Sequence, residues 1–164
     1  MKVGIISDTH DSYKPTMRSV ELFNEHGVAC VFHAGDIVSP AMAKVFAGLN
    51  ESKFIAVFGN CDCEKEYLKK CIERFGGEIH EHDYSGKVGG RSIYMRHVPG
   101  MLEAVIDSQQ YDLVIYGHTH RRDIRRIGPT LVVNPGRNAG RLAGGPAVVV
   151  VDLDDMSTEV LPLK

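Results

Sequence analysis

No apolar run in this sequence approaches the roughly 20 residues that a helix needs to span a bilayer. The chain opens on a strand-like segment. It lacks the basic region, long apolar stretch and small-residue cleavage site of a secretory leader, which predicts a cytoplasmic protein with no membrane partner. Cysteine is scarce. Cys61 and Cys63 form a C-x-C without the paired C-x-x-C spacing of a structural zinc site, and a disulfide framework does not suit the expected compartment. Cys30 and Cys71 fall in apolar segments that predict core packing. No charge of one sign dominates: the net charge is -2, which gives no general drive toward nucleic acid or an acidic surface. Internal repeats, linkers and low-complexity tracts are also missing, so residues 1–164 are expected to form one domain.

What the sequence does contain is alternation. Apolar strand-like segments at 2–7, 28–34 and 53–58 are each followed by a helical pattern: 13–26, with Met17, Val20, Leu22 and Phe23 as its apolar face; a helix from Ser39 as cap and Pro40 to about Gly48; and a charged helix to about Phe75. Strand and helix in turn predict parallel strands with helical crossovers. The second half is different. Short strands are expected at 78–84, 91–97, 112–116, 123–127, 130–133, 147–152 and 158–161, with one helix over 101–109. Turn signals at Gly89-Gly90, Gly128-Pro129 and Gly144-Gly145-Pro146 predict hairpins.

Polar side chains recur where these strands end: Asp8 and His10, Asp36, Asn60, His97, and His118 with His120. In open α/β sheets a site forms beyond the carboxyl ends of the strands, so these groups are expected on one rim. Oxygen and imidazole donors without a thiolate suit Mn2+, Fe, Zn2+, Ni2+ or Co2+ more than Ca2+. Seven donors exceed the needs of one tetrahedral ion and suit two ions about 3.5–4 Å apart. Each residue alone has an ordinary reading: Asp8 in an Asx-turn, Asp36 as a helix cap, Asn60 as a left-handed turn residue, His118 and His120 on a strand edge. Their joint occurrence favours the metal reading. Gly35, Gly59, Gly117 and Gly136 are expected to permit sharp turns.

The ordered series Asp8-x-His10, Gly35-Asp36, Gly59-Asn60, His97 and Gly117-His118-x-His120 resembles the signature of the calcineurin-like metallophosphoesterases. The compact length, Gly59-Asn60-Cys61-Asp62 and Asn134-Pro135-Gly136 resemble the small bacterial and archaeal phosphodiesterase branch, itself similar to the Vps29-type retromer subunit. The resemblance runs from Lys2 to about Gly136 and implies an α/β fold in which two mixed β-sheets are sandwiched between helices, a four-layer αββα arrangement. It implies two divalent cofactor ions, Mn2+ first and Ni2+, Zn2+, Fe or Co2+ as alternatives. Asp8, His10 and His120 would hold one, Asn60, His97 and His118 the other, and Asp36 would bridge. The implied reaction is hydrolysis of a phosphate ester, foremost a diester, by in-line attack of a hydroxide bridging both ions, with Asn60 also touching the phosphate.

Departures from the pattern sharpen the expectation. Cys61 stands where the wider family often has a His that assists the leaving group, which predicts a preference for good leaving groups. Arg96-His97-Val98-Pro99-Gly100 replaces the common Thr-His-Gly, and Pro99 stiffens the loop after His97. Arg137 stands where Ser is common and could place a donor near a phosphate, although an exposed Arg is ordinary. His33 reads first as a satisfied core histidine and Asp62 as a helix-start carboxylate. A place behind the ligands is the alternative for each, in the case of Asp62 through the resemblance. Two other functions stay open. One is a scaffold of the Vps29 type, in which ligands would have decayed. The other is a metallo-nuclease drawing on Arg121, Arg122, Arg125, Arg126, Arg137 and Arg141, although the aromatic interleaving of a single-strand binder is missing. A small phosphate ester is the expected partner, and a homo-oligomer is left open.

Overall fold

A computed structural model describes residues 1–139 and 145–163. The elements are β1 (Lys2–Ile6), α1 (Tyr13–Glu25), β2 (Cys30–His33), α2 (Ala43–Phe46), β3 (Lys53–Val57), α3 (Lys65–Glu73), β4 (Glu78–His80), β5 (Asp83–Val88), β6 (Arg91–Arg96), α4 (Leu102–Asp107), β7 (Leu113–Ile115), β8 (Asp123–Ile127), β9 (Thr130–Asn134), β10 (Ala147–Asp152) and β11 (Ser157–Pro162). Short 3-10 turns at Pro40–Met42 and Pro99–Met101 lead into α2 and α4.

The strands form two mixed sheets. The first has the order β11-β10-β1-β2-β3-β4 and the second β5-β6-β7-β9-β8. In the first, β1 to β4 run parallel and β10 and β11 are antiparallel additions. In the second, β6, β7 and β9 run parallel, flanked by antiparallel β5 and β8. Strand alternation explains the layering, because successive side chains face opposite sides of a sheet. Val3, Ile5, Phe32 and Ile55 of the first sheet join Ile93, Met95, Ile115 and Val133 of the second in the core between them. The other face of the first sheet presents Ile6, Val31 and Phe54 to Val20 and Phe23 of α1, Phe46 of α2, and Leu68 and Ile72 of α3. The outer face of the second presents Tyr94, Val114 and Val132 to Leu102 and Ile106 of α4. The result is the expected four-layer αββα arrangement.

Several local expectations change. The segment 78–84 is not one strand: β4 ends at His80 in the first sheet and β5 begins at Asp83 in the second, so this stretch carries the chain across the sandwich. The turns at Gly89-Gly90 and Gly128-Pro129 do close hairpins. Gly145-Pro146 does not, because β9 and β10 lie in different sheets; Gly144 and Arg141 fall outside the described residues. Ser39 makes no side-chain cap bond, and the helix it precedes opens as a 3-10 turn on Pro40. Met17 is exposed, since Thr16, Ser19, Val20, Leu22 and Phe23 form the buried stripe of α1.

Candidate metal centre

Parallel strands from both sheets end on one rim, and each delivers a polar loop there. β1 is followed by Asp8 and His10, β2 by Asp36, β3 by Asn60, β6 by His97, and β7 by His118 and His120. The backbone at Asp8, His10, Asp36, His118 and His120 is left-handed, with φ of +52°, +42°, +62°, +67° and +57°. That region is sparsely populated by residues other than glycine, and such strain collects at functional sites. It rules out a plain strand edge for His118 and His120. Asn60, read alone as a left-handed turn residue, does not have this backbone. Gly35 and Gly136 take positive φ as expected. Gly59 and Gly117 are needed for another reason: a Cβ at Gly59 would overlap Asp36, and one at Gly117 would overlap Ser7 and lie 3.0 Å from Asp8 Oδ2.

The seven side chains converge as two sets. In the inner set, His10 Nε2 lies 3.2 Å from His120 Nε2 and 3.7 Å from Asp8 Oδ1, and His120 Nε2 lies 3.3 Å from Asp8 Oδ1. One oxygen of Asp36 joins them, with Oδ2 3.5 Å from His10 Nε2. Donor atoms of these four residues all lie within 4.8 Å of one another and could hold a metal ion. In the outer set, Asn60 Oδ1 lies 3.0 Å from His97 Nε2 and 2.8 Å from His118 Nδ1. The other oxygen of Asp36 faces this set, with Oδ1 3.4 Å from His97 Nε2.

Surrounding groups aim these donors. The Nδ1–H of His97 donates to the Ala34 carbonyl at 2.7 Å, which turns the Nε2 lone pair toward the centre. Ser7 Oγ donates to Asp8 Oδ2 at 2.6 Å, and the His118 N–H donates to the same oxygen at 3.2 Å. Asp8 Oδ1 is left buried with no hydrogen-bond donor among the described residues. Leaving a buried carboxylate oxygen uncompensated is costly, and a cation would remove that cost.

Asp62 is the principal positioning residue. It does not start a helix. Its carboxylate accepts the N–H groups of Gly59 (2.6 Å), Val38 (2.7 Å) and Asp36 (3.2 Å), and so ties the loops after β2 and β3 together. His33 accepts the Gly35 N–H on Nδ1, contacts Thr9 Oγ1 through Nε2 at 3.2 Å, and packs its ring against Phe46. It is thus both a core ring and a support behind Asp36. Asn134, visible in sequence only as part of a turn, donates to the Gly117 carbonyl and to Thr119 Oγ1, each at 3.0 Å, and holds the His118–His120 loop.

Electrostatics follow from burial and pairing. Burial pushes the Asp8 carboxyl up, despite the opposing Ser7 bond. Burial would also raise Asp36, but His97 and the Cys61 N–H (2.8 Å) hold it well below the usual carboxylate range. Burial lowers the His10 imidazole against the pull of Asp36 and Asp8, and the Arg137 charge lowers it further. His97 is held above its ordinary value, because Asp36 and the Ala34 carbonyl outweigh burial. Burial drives His33 down to about 3.

A family model for the calcineurin-like phosphoesterase superfamily domain matches residues 1–156. The chain belongs to this superfamily. Among its relatives is a phosphodiesterase of Methanocaldococcus jannaschii, 38% identical over 94% of each chain. The YfcE phosphodiesterase of Escherichia coli is 29% identical over 90% of this chain and 84% of its own. The solved structure of an archaeal phosphodiesterase superposes with a TM-score of 0.92 at 35% identity, covering 98% of this chain and 99% of the other. Vps29 of Cryptosporidium parvum shares the fold, with a TM-score of 0.66 at 20% identity over 97% and 94% of the two chains. The protein is a metallophosphoesterase, and the clustered carboxylate and imidazole donors agree with the divalent metals its family uses.

Proposed function

We propose that this protein is a phosphodiesterase whose centre takes two divalent ions, Mn2+ first and Ni2+, Zn2+, Fe or Co2+ as alternatives. The observation that carries the two-ion reading is Asp36, which turns one carboxylate oxygen to each donor set. Asp8, His10 and His120 would hold the inner ion, Asn60, His97 and His118 the outer, and Asp36 both. When bound, such ions acidify water to a nucleophile at neutral pH and neutralise charge on the phosphoryl group. The orphaned Asp8 Oδ1 and the inward-facing imidazole nitrogens fit that occupancy. The diester preference rests on the named activities of the two relatives above.

The chain's own residues set the rest. Asn60 turns Oδ1 to His97 and His118 and donates through Nδ2 to Cys61 Sγ at 3.2 Å, so its amide is fixed at the edge of the centre where a phosphoryl oxygen would lie. Burial and the neighbouring Asp36 push the Cys61 thiol up, which makes it a poor proton donor to a departing alkoxide. The reaction therefore favours esters with good leaving groups. A pH–rate profile whose alkaline limb, set by loss of the proton-donating group, disappears in Cys61→Ser would show otherwise. Arg137 is close enough for its charge to act on His10, so its guanidinium is a candidate to meet a phosphoryl oxygen.

The small-substrate reading is favoured over the nuclease. Arg125 is paired with Glu103 and Asp123, and Arg126 donates to the Met156 carbonyl, so neither is poised over the rim. No helix among the described residues is long and apolar enough to cross a membrane. Action as one domain over residues 1–164 in the cytoplasm belongs to the same proposal. Protein stripped of metal and reloaded with Mn2+, Ni2+, Zn2+ or Mg2+ should turn over bis(4-nitrophenyl) phosphate faster than the monoester. Asn60→Ala and Asp36→Ala should abolish that turnover. Failure to bind about two metals per chain under any loading sinks the two-ion reading.

A further inference from the structure

The loop between β1 and α1 carries two of the proposed inner donors on unfavourable backbone. Asp8, His10 and Asp11 all take left-handed φ, at +52°, +42° and +54°. Such geometry persists only where the surroundings over-determine it. One part of that support comes from the loop after β2. The N–H groups of Asp8, His10 and Asp11 donate to the carbonyls of Gly35, Asp36 and Ile37 at 3.0, 3.1 and 3.4 Å. Another part comes from the far end of the chain. The Asn138 N–H donates to the Asp8 carbonyl at 3.4 Å. The Asn138 side chain reaches α1, the helix into which the same loop runs. Its Nδ2 donates to Ser19 Oγ at 2.8 Å. Its Oδ1 lies 3.3 Å from the Thr16 hydroxyl, which also donates to the Ser12 carbonyl at 2.8 Å.

Asn138, Thr16 and Ser19 are all fully buried. Residues three apart on a helix share a face, so the two hydroxyls meet the two ends of one amide. Buried polar groups are held by their hydrogen bonds, and a group whose partner is removed keeps the cost of its lost solvation. Asn138 therefore spans the strained loop, with its main chain at Asp8 and its side chain on the first turns of α1. We propose that Asn138 is a positioning residue for the inner donor set: it holds the Asp8–His10 loop from both ends and so sets the affinity of the inner cation. The proposal rests on the two-ion reading of the centre and deepens it by assigning a residue whose side chain faces α1 rather than the donors.

The test is metal binding by the full chain, stripped of metal and titrated with Mn2+ in a calorimeter. Asn138→Ala should weaken one of the two ions by about 10–100-fold, the usual effect of removing a group behind metal ligands. Ser19→Ala removes the acceptor of Asn138 Nδ2, leaves every donor in place, and should weaken the same ion by a smaller factor. Adding it to Asn138→Ala should change little further, because both break one contact. Thr130→Val is the control for a merely structural role. The buried Thr130 hydroxyl donates to the Tyr111 carbonyl at 2.7 Å, at the end of β9 away from the rim. Its loss should lower stability to denaturant and move neither metal affinity. A His120→Ala chain keeps the outer donors, and the ion it retains should not respond to Asn138→Ala; a weakening there overturns the proposal. So does unchanged binding in Asn138→Ala or, should that variant not fold, in Ser19→Ala, and so does an equal weakening in Thr130→Val. A parent chain that binds no metal ends the two-ion reading and this one with it. Two ions in the parent with no response to Asn138→Ala end this one alone.

Discussion

The two donor sets of the rim are built differently. The inner set is sunk: Asp8 is fully buried, Asp36 is 1% exposed, and the His10 and His120 side chains retain only 18% and 31% exposure. The outer set opens outward, with Asn60 and His118 exposed and only His97 buried. Asp36 belongs to both. The difference separates two tasks. In the proposed centre the buried cluster would give a cation a fixed seat, whereas the open set would leave room beside it for an ester.

The largest effect should come from the residue that the sets share. Asp36→Ala removes the carboxylate that faces both, and several kcal/mol of charge stabilisation, on the order of 10^3-fold in kcat/KM, should go with it. Metal analysis of the purified variant should show fewer than two ions per chain. If it retains full metal and full activity, the shared role is wrong.

Asp62→Ala attacks the tie between the sets without touching a donor. It strips the acceptor from the Asp36, Val38 and Gly59 N–H groups, and metal affinity should fall about 10–100-fold. Chemical denaturation should register a loss of about 1–3 kcal/mol as well. A stability loss with unchanged metal affinity would make Asp62 merely structural.

His33 sharpens the comparison from behind the inner set. Its folded value of about 3 lies below the ordinary imidazole value of 6.5, so between those values the unfolded chain holds more protons. The stability linked to His33 is complete above pH 6.5 and is lost as the pH falls toward 3. The slope reaches at most about 1.4 kcal/mol per pH unit. Urea midpoints at pH 7 and pH 5 should draw together in His33→Gln relative to the parent; an unchanged gap would remove His33 from the account. The smallest change belongs to Arg125→Gln, outside both sets. Its ion pairs with Glu103 and Asp123 are exposed or half-exposed, so stability should shift by less than about 1 kcal/mol and diester turnover should not move.

Much of this was legible in one dimension. Gly-Asp, Gly-Asn and Gly-His-x-His each follow an apolar run, and strand ends in α/β sheets point to a common rim. His97 could be read despite its altered flanks because it closes a strand in the same way. Asp62 was harder. Its neighbours in sequence suggest a helix start, and the N–H groups it accepts include two from a loop more than twenty residues away.

The sequence by itself determined the donor chemistry, two Asp, one Asn and four His, because side-chain identity is local. It also determined the mixed α/β class, because apolar periodicity separates strands from helices; the two-sheet layering came through the family resemblance. Only the tertiary structure decided that residues 78–88 divide between two sheets and that Asp62 ties the loops after β2 and β3 together. The physical reason is common to both. Alternation tells a strand which face to bury but not which sheet to join, and a hydrogen-bonding group finds its partners through space, from segments whose distance along the chain carries no information.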